Sequence, residues 1–200
     1  EVVPAWRSHQ NVDVELREQV ARAAHELVSG LEAGWMLDAA RVERIAAYVT
    51  GIVESEAEWQ PPDEIMVEQQ LDSEAADALV PGLTVNGVEL VGRVDRIDRY
   101  GSQLVLHDYK LSSSPRRAER LVQERHLQLL VYWLALEQEP AARHVIGAVY
   151  RAITKAGAAS GVLSDELKQL GIVGRRTRAG VCDDQERRDI LDEARSVVED

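Results

Sequence analysis

The sequence predicts a mixed α/β fold in which helices flank a central mixed β-sheet, in the order ααβββαβα. Three observations support this prediction. Apolar residues recur at helical spacing in two N-terminal segments, they alternate or cluster as in strands through the middle of the chain, and helical spacing returns after residue 115. The chain of 200 residues is long enough for one substantial core. We therefore expect a single domain over residues 1–200, with residues 155–200 as a C-terminal appendage.

Two helices and a strand are predicted for the first part of the chain. Amphipathic spacing favours helices over residues 12–31 and 37–59, and Pro61-Pro62 ends the second helix. Residues 64–71 alternate between apolar and polar side chains, as a half-buried strand does. A short apolar run and the turn signal Asn86-Gly87 follow.

The second part of the chain predicts a hairpin, a long helix, a strand and a last helix. Two β-branched runs flank Tyr100-Gly101-Ser102, which indicates a hairpin over residues 88–111 with a tight turn. The leucine-rich residues 116–138 form the clearest helical pattern. Residues 144–153 predict a strand, and after a glycine-rich basic connection residues 184–198 predict a charged helix.

The hairpin opposes two carboxylates. If Gly101-Ser102 is a two-residue loop, Asp95 lies directly opposite Asp108, and Lys110 lies two residues further along the same face. At about 4 Å and an effective dielectric constant near 20, the repulsion between two carboxylates is roughly 4 kcal/mol. A divalent cation would turn that repulsion into binding energy. The pattern therefore indicates a metal site, and the alternative is a surface hairpin with scattered charges.

Composition and charge restrict the function classes. With 45% hydrophobic and 29% charged residues and no apolar run that could span a bilayer, we expect a cytoplasmic protein that does not bind membranes. The net charge of −12 argues against tight, unassisted binding of nucleic acid. The charge is uneven, however, because residues 54–77 contain no Lys or Arg whereas residues 110–125 are net basic. A polyanion delivered by a partner could dock on the basic side.

Three motifs follow one another in the middle of the chain: Gly92-Arg93-Val94-Asp95, then Asp108-Tyr109-Lys110, then Gln128-Leu129-Leu130-Val131-Tyr132. In this order and spacing they resemble the PD-(D/E)XK nuclease superfamily, and more narrowly its RecB-like branch of helicase-associated nucleases. The resemblance covers about residues 64–136. It implies a restriction-endonuclease-like core, in agreement with the element order predicted above.

The resemblance implies catalytic roles for Asp95, Asp108, Lys110, Gln128 and Tyr132. Both aspartates and the backbone carbonyl of Tyr109 would be ligands of Mg²⁺ or Mn²⁺, which prefer hard oxygen donors. Lys110 would orient the attacking water and offset charge in the transition state. Gln128 and Tyr132 share a helix face and would contact DNA or the lysine. Their alternative roles are a surface glutamine and a half-buried core tyrosine.

The resemblance suggests two further metal ligands. His25, on the predicted first helix, matches the histidine ligand of many members, although the glycine that usually precedes it is absent from Val20-Ala21-Arg22. A structural role is the alternative for His25. Glu68 matches an acidic residue that often precedes the Gly-x-x-Asp strand. Its alternative role is that of an outward polar residue in an alternating strand.

Basic residues around the motifs are candidates for DNA binding: Arg116, Arg117, Arg120, Arg175, Arg176 and Arg178. The last three lie in the glycine-rich connection, which is otherwise a solvated linker. Several relatives hold an iron–sulfur cluster with four cysteines. Because Cys182 is the single cysteine of this chain, we expect no iron–sulfur cluster.

These observations predict a metal-dependent DNA nuclease. The resemblance favours an exonuclease that acts on DNA ends in repair, recombination or defence, with a helicase or another protein in the same complex or polypeptide. The alternative is a non-catalytic, nuclease-like domain that binds DNA ends or serves as a scaffold. The presence of Asp95, Asp108 and Lys110 argues against that alternative. A third possibility, a small-molecule metalloenzyme on a similar hairpin, lacks any pocket motif.

Overall fold

The computed structural model describes residues 22, 39–72, 80–111, 118–138, 144–155, 158–173 and 181–199. Within these ranges the chain forms four α-helices and eight β-strands. In chain order they are α1 (Ala39–Glu56), β1 (Glu64–Asp72), β2 (Val80–Pro81), β3 (Leu83–Val85), β4 (Val88–Leu90), β5 (Gly92–Tyr100), β6 (Gln103–Lys110), α2 (Gln128–Glu137), β7 (His144–Ala152), β8 (Ala158–Val162), α3 (Asp165–Gln169) and α4 (Asp184–Glu199).

Six of these strands form one mixed sheet in the order β2-β1-β5-β6-β7-β8. Strand β2 runs parallel to β1, whereas β1 with β5 and β5 with β6 are antiparallel pairs. The start of β7 lies beside the start of β6, because the His144 N–H donates to the Ser102 carbonyl (2.9 Å). The predicted mixed α/β fold with a central mixed sheet flanked by helices is thus confirmed.

The central hairpin has the predicted turn. Tyr100 pairs with Gln103 across Gly101-Ser102, and the same register continues to Arg96 opposite His107. Gly101 takes a left-handed conformation (φ 62°), which glycine adopts without steric cost. The hairpin begins at Gly92 rather than at residue 88, because β4 pairs with β3 in a separate two-stranded sheet.

The long helix predicted over residues 116–138 is wrong in its first half. The structure has a short 3₁₀-helix (Ala118–Arg120) and turns, and α2 begins only at Gln128. Arg125 takes a left-handed conformation (φ 55°), which no α-helix accommodates, and the His126 N–H donates to the Leu121 carbonyl instead. Buried apolar residues lie on both sides of this break, so the spacing of apolar residues in the sequence does not reveal it.

Two elements near the C-terminus, β8 and α3, have no counterpart in the sequence-based prediction. Strand β8 (Ala158–Val162) consists largely of alanine, serine and glycine, which have weak strand propensity. The helix predicted over residues 184–198 is present as α4. Part of the predicted appendage contributes to the sheet and to its core, since Val162, Ile190 and Leu191 belong to the main hydrophobic cluster.

The chain divides into two compact units. The first comprises Glu1–Trp59, Leu111–Ser113 and Ala152–Ala158, in which α1 packs against the 3₁₀ turn Ile153–Lys155. The second, made of the remaining residues, holds most of the sheet with α2 and α4. The helix predicted over residues 12–31 lies outside the described residues except for Arg22, which is helical. The single-domain organisation stays a prediction.

The core of the second unit lies between the sheet and α2. Leu129, Leu130 and Trp133 of α2 are fully buried together with Ile97 of β5 and Leu106 of β6. This packing fixes α2 over β5 and β6. None of the helices in the described ranges is long and apolar enough to cross a membrane.

Candidate active site

Asp95 and Asp108 lie on neighbouring strands, at the end of the β5–β6 ladder. The ladder ends at Arg96 opposite His107, and Asp95 and Asp108 are the next residues on the two strands. Asp108 is almost fully buried (2% exposed). The backbone N–H of Tyr109 donates to Asp95 Oδ2 (2.9 Å), which ties the two strands together at this point.

Lys110 contacts both a carboxylate and α2. Its Nζ lies 2.7 Å from Asp108 Oδ2 and donates a hydrogen bond to Gln128 Oε1 (2.9 Å). The lysine side chain is about one-third exposed, so its ammonium borders solvent. The structure therefore brings Lys110 to the carboxylates on one side and to the first residue of α2 on the other.

Gln128 and Tyr132 extend this contact back to β5. Gln128 Nε2 lies 3.4 Å from Tyr132 Oη, to which it donates. The same hydroxyl accepts a hydrogen bond from the Arg93 N–H (3.1 Å) and donates one to the Arg93 carbonyl (3.0 Å). All three hydrogen-bonding positions of the hydroxyl are thus used. A chain of polar contacts runs from Asp108 through Lys110, Gln128 and Tyr132 to Arg93.

Gly92 makes room for this chain. A Cβ atom at position 92 would lie 2.8 Å from Tyr132 Oη and 2.9 Å from Tyr132 Cε1, closer than carbon atoms approach in proteins. Only glycine lets the tyrosine approach the β5 backbone so closely. The glycine and the aspartate of the Gly-x-x-Asp motif therefore serve different purposes, the first for packing against Tyr132 and the second for charge.

Glu68 lies on β1, on the other side of Asp95 from Asp108. The pairs Val67 with Arg96 and Gln69 with Val94 put Glu68 opposite Asp95, although the residue itself has a left-handed backbone (φ 55°). Its Oε2 forms an ion pair with Arg93 Nε (2.6 Å).

The other face of the hairpin carries a buried ionic cluster of Arg96, Asp98 and His107. Arg96 binds Asp98 through Nε (2.6 Å) and Nη2 (2.8 Å), and His107 Nε2 lies 3.2 Å from Asp98 Oδ2. Burial alone would raise the pKa of Asp98, but the charges and hydrogen bonds of His107 and Arg96 outweigh burial and hold it at about 2. These contacts with Arg96 and His107 give Asp98 a structural role in the hairpin.

Tyr150 of β7 also borders the site, although it was not among the site residues predicted from the sequence. Lys110 Nζ lies 5.9 Å from the centre of its ring, a distance compatible with a weak cation–π contact. Its hydroxyl donates to the His126 carbonyl (3.1 Å), just before α2. No sequence signal points to Tyr150, because its place beside Lys110 depends on the pairing of β6 with β7.

One of the predicted DNA-binding arginines, Arg120, lies within the described residues. It is exposed and lies 3.8 Å from Glu124, an i,i+4 ion pair. The other five arginines and the candidate metal ligand His25 lie outside the described residues: Arg116, Arg117, Arg175, Arg176 and Arg178.

The donor set of the hairpin fits a hard divalent cation. Asp95 accepts a hydrogen bond from the N–H of Tyr109, the residue that follows Asp108, and carboxylate and carbonyl oxygens of this kind suit Mg²⁺ and Mn²⁺. In the ranges that the structure describes, no group of three or more His, Cys, Asp or Glu side chains is arranged to hold a metal ion. Two carboxylates therefore require a carbonyl, water or substrate oxygens to complete a coordination sphere, which is how proteins often bind Mg²⁺.

Comparisons with known proteins agree with this geometry. The model of the PD-(D/E)XK nuclease superfamily matches residues 6–200, nearly the whole chain. No curated protein matched the sequence significantly.

Proposed function

The chain belongs to the PD-(D/E)XK nuclease superfamily, and from this premise we propose that it is a Mg²⁺- or Mn²⁺-dependent deoxyribonuclease. Nucleases of this superfamily hydrolyse phosphodiester bonds and generally use divalent metals. The observation that carries the proposal is that Asp95 is bound to the Tyr109 N–H at the end of the hairpin ladder, while the neighbouring Asp108 is bound to Lys110. This combination supplies anionic oxygen ligands and a cation within one small patch of the sheet.

We assign the metal ligands to Asp95, Asp108 and the Tyr109 carbonyl, with His25 and Glu68 as further candidates. A bound Mg²⁺ or Mn²⁺ would supply Lewis-acid polarisation of the scissile phosphate and a lower pKa of the attacking water. Lys110 orients that water and offsets negative charge as the phosphorus gains an oxygen. Gln128 holds the ammonium in position, and Tyr132 anchors Gln128 to the backbone of β5.

The finer functional assignment is an exonuclease that acts on DNA ends with a helicase partner in repair, recombination or defence. The motifs of the RecB-like branch support it. The net charge of −12 also supports a partner, because an acidic chain gains less from the phosphate backbone than a basic one does. We propose that Arg116, Arg117, Arg120, Arg175, Arg176 and Arg178 bind the phosphate backbone of the DNA. We further propose a cytoplasmic location.

The rival function is a nuclease-like domain that binds DNA ends or acts as a scaffold without cleaving them. Such a domain needs neither an ordered lysine nor an opposed carboxylate pair. The ion pair of Lys110 with buried Asp108 favours the nuclease, because burying a carboxylate costs free energy and a scaffold does not require that cost.

The test is cleavage of end-labelled linear and circular DNA, single- and double-stranded, and of RNA, with Mg²⁺, Mn²⁺ or EDTA. We expect metal-dependent cleavage of DNA that is lost in Asp108→Ala and in Lys110→Ala. Glu64→Gln is the control. It removes the exposed ion pair between Glu64 on β1 and Arg99 on β5, and it should retain activity. Cutting of linear DNA alone would identify an exonuclease. Cleavage that survives in Asp108→Ala, or a folded wild type that binds no Mn²⁺ and cuts nothing, would overturn the proposal.

A further inference from the structure

The two aspartates lie where the backbone pairing of the central hairpin stops. The ladder of β5 with β6 ends at Arg96 opposite His107. Asp95 and Asp108 are the next residues on the two strands, just beyond that last pair. In an antiparallel ladder the backbone hydrogen bonds fix which residues face one another. Beyond its end, the relative position of the two carboxylates depends on other contacts between the strands.

Tyr109 joins the two strands at this point by two hydrogen bonds. Its backbone N–H donates to Asp95 Oδ2 (2.9 Å). Its side-chain hydroxyl accepts a hydrogen bond from Arg96 Nη1 (3.1 Å). Tyr109 follows Asp108 in the chain, and Arg96 follows Asp95. The two bonds therefore connect the short segments that carry the two carboxylates.

The guanidinium that binds the Tyr109 hydroxyl is itself held in place. Arg96 makes a two-point contact with Asp98, through Nε (2.6 Å) and Nη2 (2.8 Å). Arg96 is 8% exposed and Asp98 is fully buried. Two parallel, charge-assisted hydrogen bonds fix the plane of a guanidinium, and burial keeps away the water that would compete for it. His107 Nε2 lies 3.2 Å from Oδ2 of the same aspartate.

Stability alone does not explain why this arginine and aspartate are buried. Replacing a buried ion pair by apolar side chains is often neutral or stabilising. A hydrogen-bonded group behind a metal ligand, in contrast, orients that ligand, and its loss commonly weakens metal binding by about 10- to 100-fold. The pair of Arg96 and Asp98 stands one hydrogen bond behind Tyr109, whose backbone carbonyl is assigned above as a metal ligand.

From this arrangement we propose that Arg96 is a positioning residue for the metal ligands, and that it acts through the Tyr109 hydroxyl. Asp98 orients Arg96, and Arg96 holds the side chain of Tyr109. Tyr109 in turn fixes the Asp95 carboxylate and its own carbonyl. The inference rests on the proposed function for the identity of the ligand, a hard divalent cation. Arg96 and the Tyr109 hydroxyl are additional to the site residues predicted from the sequence, which included Tyr109 only through its carbonyl.

The same hairpin offers a matched control in a second tyrosine. Tyr100 lies at the turn end of β5, where it pairs with Gln103, and its hydroxyl is buried. Tyr100→Phe and Tyr109→Phe each remove one hydroxyl and keep the ring and the backbone. Tyr100→Phe measures the general effect of losing a hydroxyl from the hairpin, whereas Tyr109→Phe breaks the contact with Arg96.

The first experiment is titration calorimetry of the full chain with Mn²⁺, without DNA. Tyr109→Phe should weaken Mn²⁺ binding by about tenfold, and Tyr100→Phe should bind as wild type does. Arg96→Lys should also weaken binding by about tenfold, because lysine keeps the charge beside Asp98 but cannot make the fork of contacts that a guanidinium makes. The Arg96→Lys/Tyr109→Phe double variant should lose about as much as the larger single effect, because both changes break one contact.

The second measurement does not depend on a metal. Amide hydrogen exchange followed by NMR reports how often the N–H of residue 109 leaves its bond to Asp95. Exchange at residue 109 should be several-fold faster in Tyr109→Phe than in wild type, and unchanged in Tyr100→Phe. Thermal unfolding of each variant separates this local effect from a general loss of stability, which would speed exchange at residue 109 in both variants.

Unchanged exchange at residue 109 in Tyr109→Phe would overturn this inference. So would Mn²⁺ binding by Tyr109→Phe that is as tight as in wild type or in Tyr100→Phe, and both results would leave the proposed function standing. A folded wild type that binds no Mn²⁺ would overturn both claims. Weaker Mn²⁺ binding by Tyr109→Phe, with a wild type that cleaves neither DNA nor RNA, would refute only the proposed nuclease. If Arg96→Lys does not fold, Tyr109→Phe carries the test, because it leaves Arg96 bound to Asp98.

Discussion

At the scale of single residues, the site depends on contacts that each fix one side chain. Tyr132 Oη holds both backbone groups of Arg93, and Lys110 is held between Asp108 and Gln128. Each of these groups is polar and at least partly buried, so losing one partner leaves another unsatisfied. Substitutions should therefore affect neighbours along the chain of contacts as well as the residue that is changed.

Gly92→Ala should destabilise the protein by about 1–3 kcal/mol, because the added methyl overlaps the Tyr132 ring and hydroxyl. Urea denaturation measures the free energy of unfolding. Val91→Ala, at the preceding and largely exposed position, is the control and should change it little. A Gly92→Ala protein as stable as Val91→Ala would show that Tyr132 does not need the space.

Asp98 predicts an acid-dependent loss of stability. Its pKa is lowered from 3.8 to about 2, so its stabilising effect is complete above pH 3.8 and is lost as the pH falls through 2. The shift corresponds to about 2 kcal/mol. The difference in unfolding free energy between wild type and Asp98→Asn should therefore shrink by about that amount between pH 5 and pH 2, measured by urea denaturation at each pH. A difference that does not change with pH would contradict the assignment.

At the scale of elements, local patterns predicted what depends on neighbours in sequence and missed what depends on distant pairing. A two-residue loop fixes a hairpin register, so the pairing from Tyr100 with Gln103 to Arg96 with His107 followed from Gly101-Ser102. Helical periodicity likewise put Gln128 and Tyr132 on one face. The Arg93–Glu68 pair depends on the register of β1 with β5, which a long connection joins, and no short-range signal sets that register.

The turn before α2 is the local feature that the spacing of apolar residues in the sequence could not predict. Arg125 holds a left-handed conformation there, which costs a non-glycine residue about 1 kcal/mol. Arg125→Gly should raise the free energy of unfolding by about 0.5–1 kcal/mol in chemical denaturation. Glu124→Gly, at the adjacent exposed position with no left-handed backbone, should lower it. If both variants lose stability equally, the turn before α2 is not strained.

At the scale of the whole molecule, the last quarter of the chain contributes to the nuclease fold. Strand β8 ends the sheet, and Ile190, Leu191 and Ala194 of α4 are buried in its core. This contribution is not evident from the sequence, because β8 is short and poor in strand-forming residues and because α4 is mostly charged. The burial of these three apolar residues depends on how the charged helix packs on the sheet, which its own sequence does not reveal.

Leu191→Ala should therefore lower the free energy of unfolding by about 2–5 kcal/mol, the usual range for truncating a buried leucine. Val197→Ala on the exposed part of the same helix is the control and should have a much smaller effect. Thermal unfolding monitored by circular dichroism measures the stability of both variants. Equal, small effects would show that α4 does not stabilise the core.

The central claim is that Asp95 and Asp108 together hold a divalent cation, and titration calorimetry with Mn²⁺ tests it most directly. We predict that wild type binds Mn²⁺, that Asp95→Asn and Asp108→Asn each lose this binding while remaining folded, and that Glu64→Gln binds as wild type does. Mn²⁺ binding that is absent from the folded wild type, or that persists unchanged in both aspartate variants, would contradict the claim.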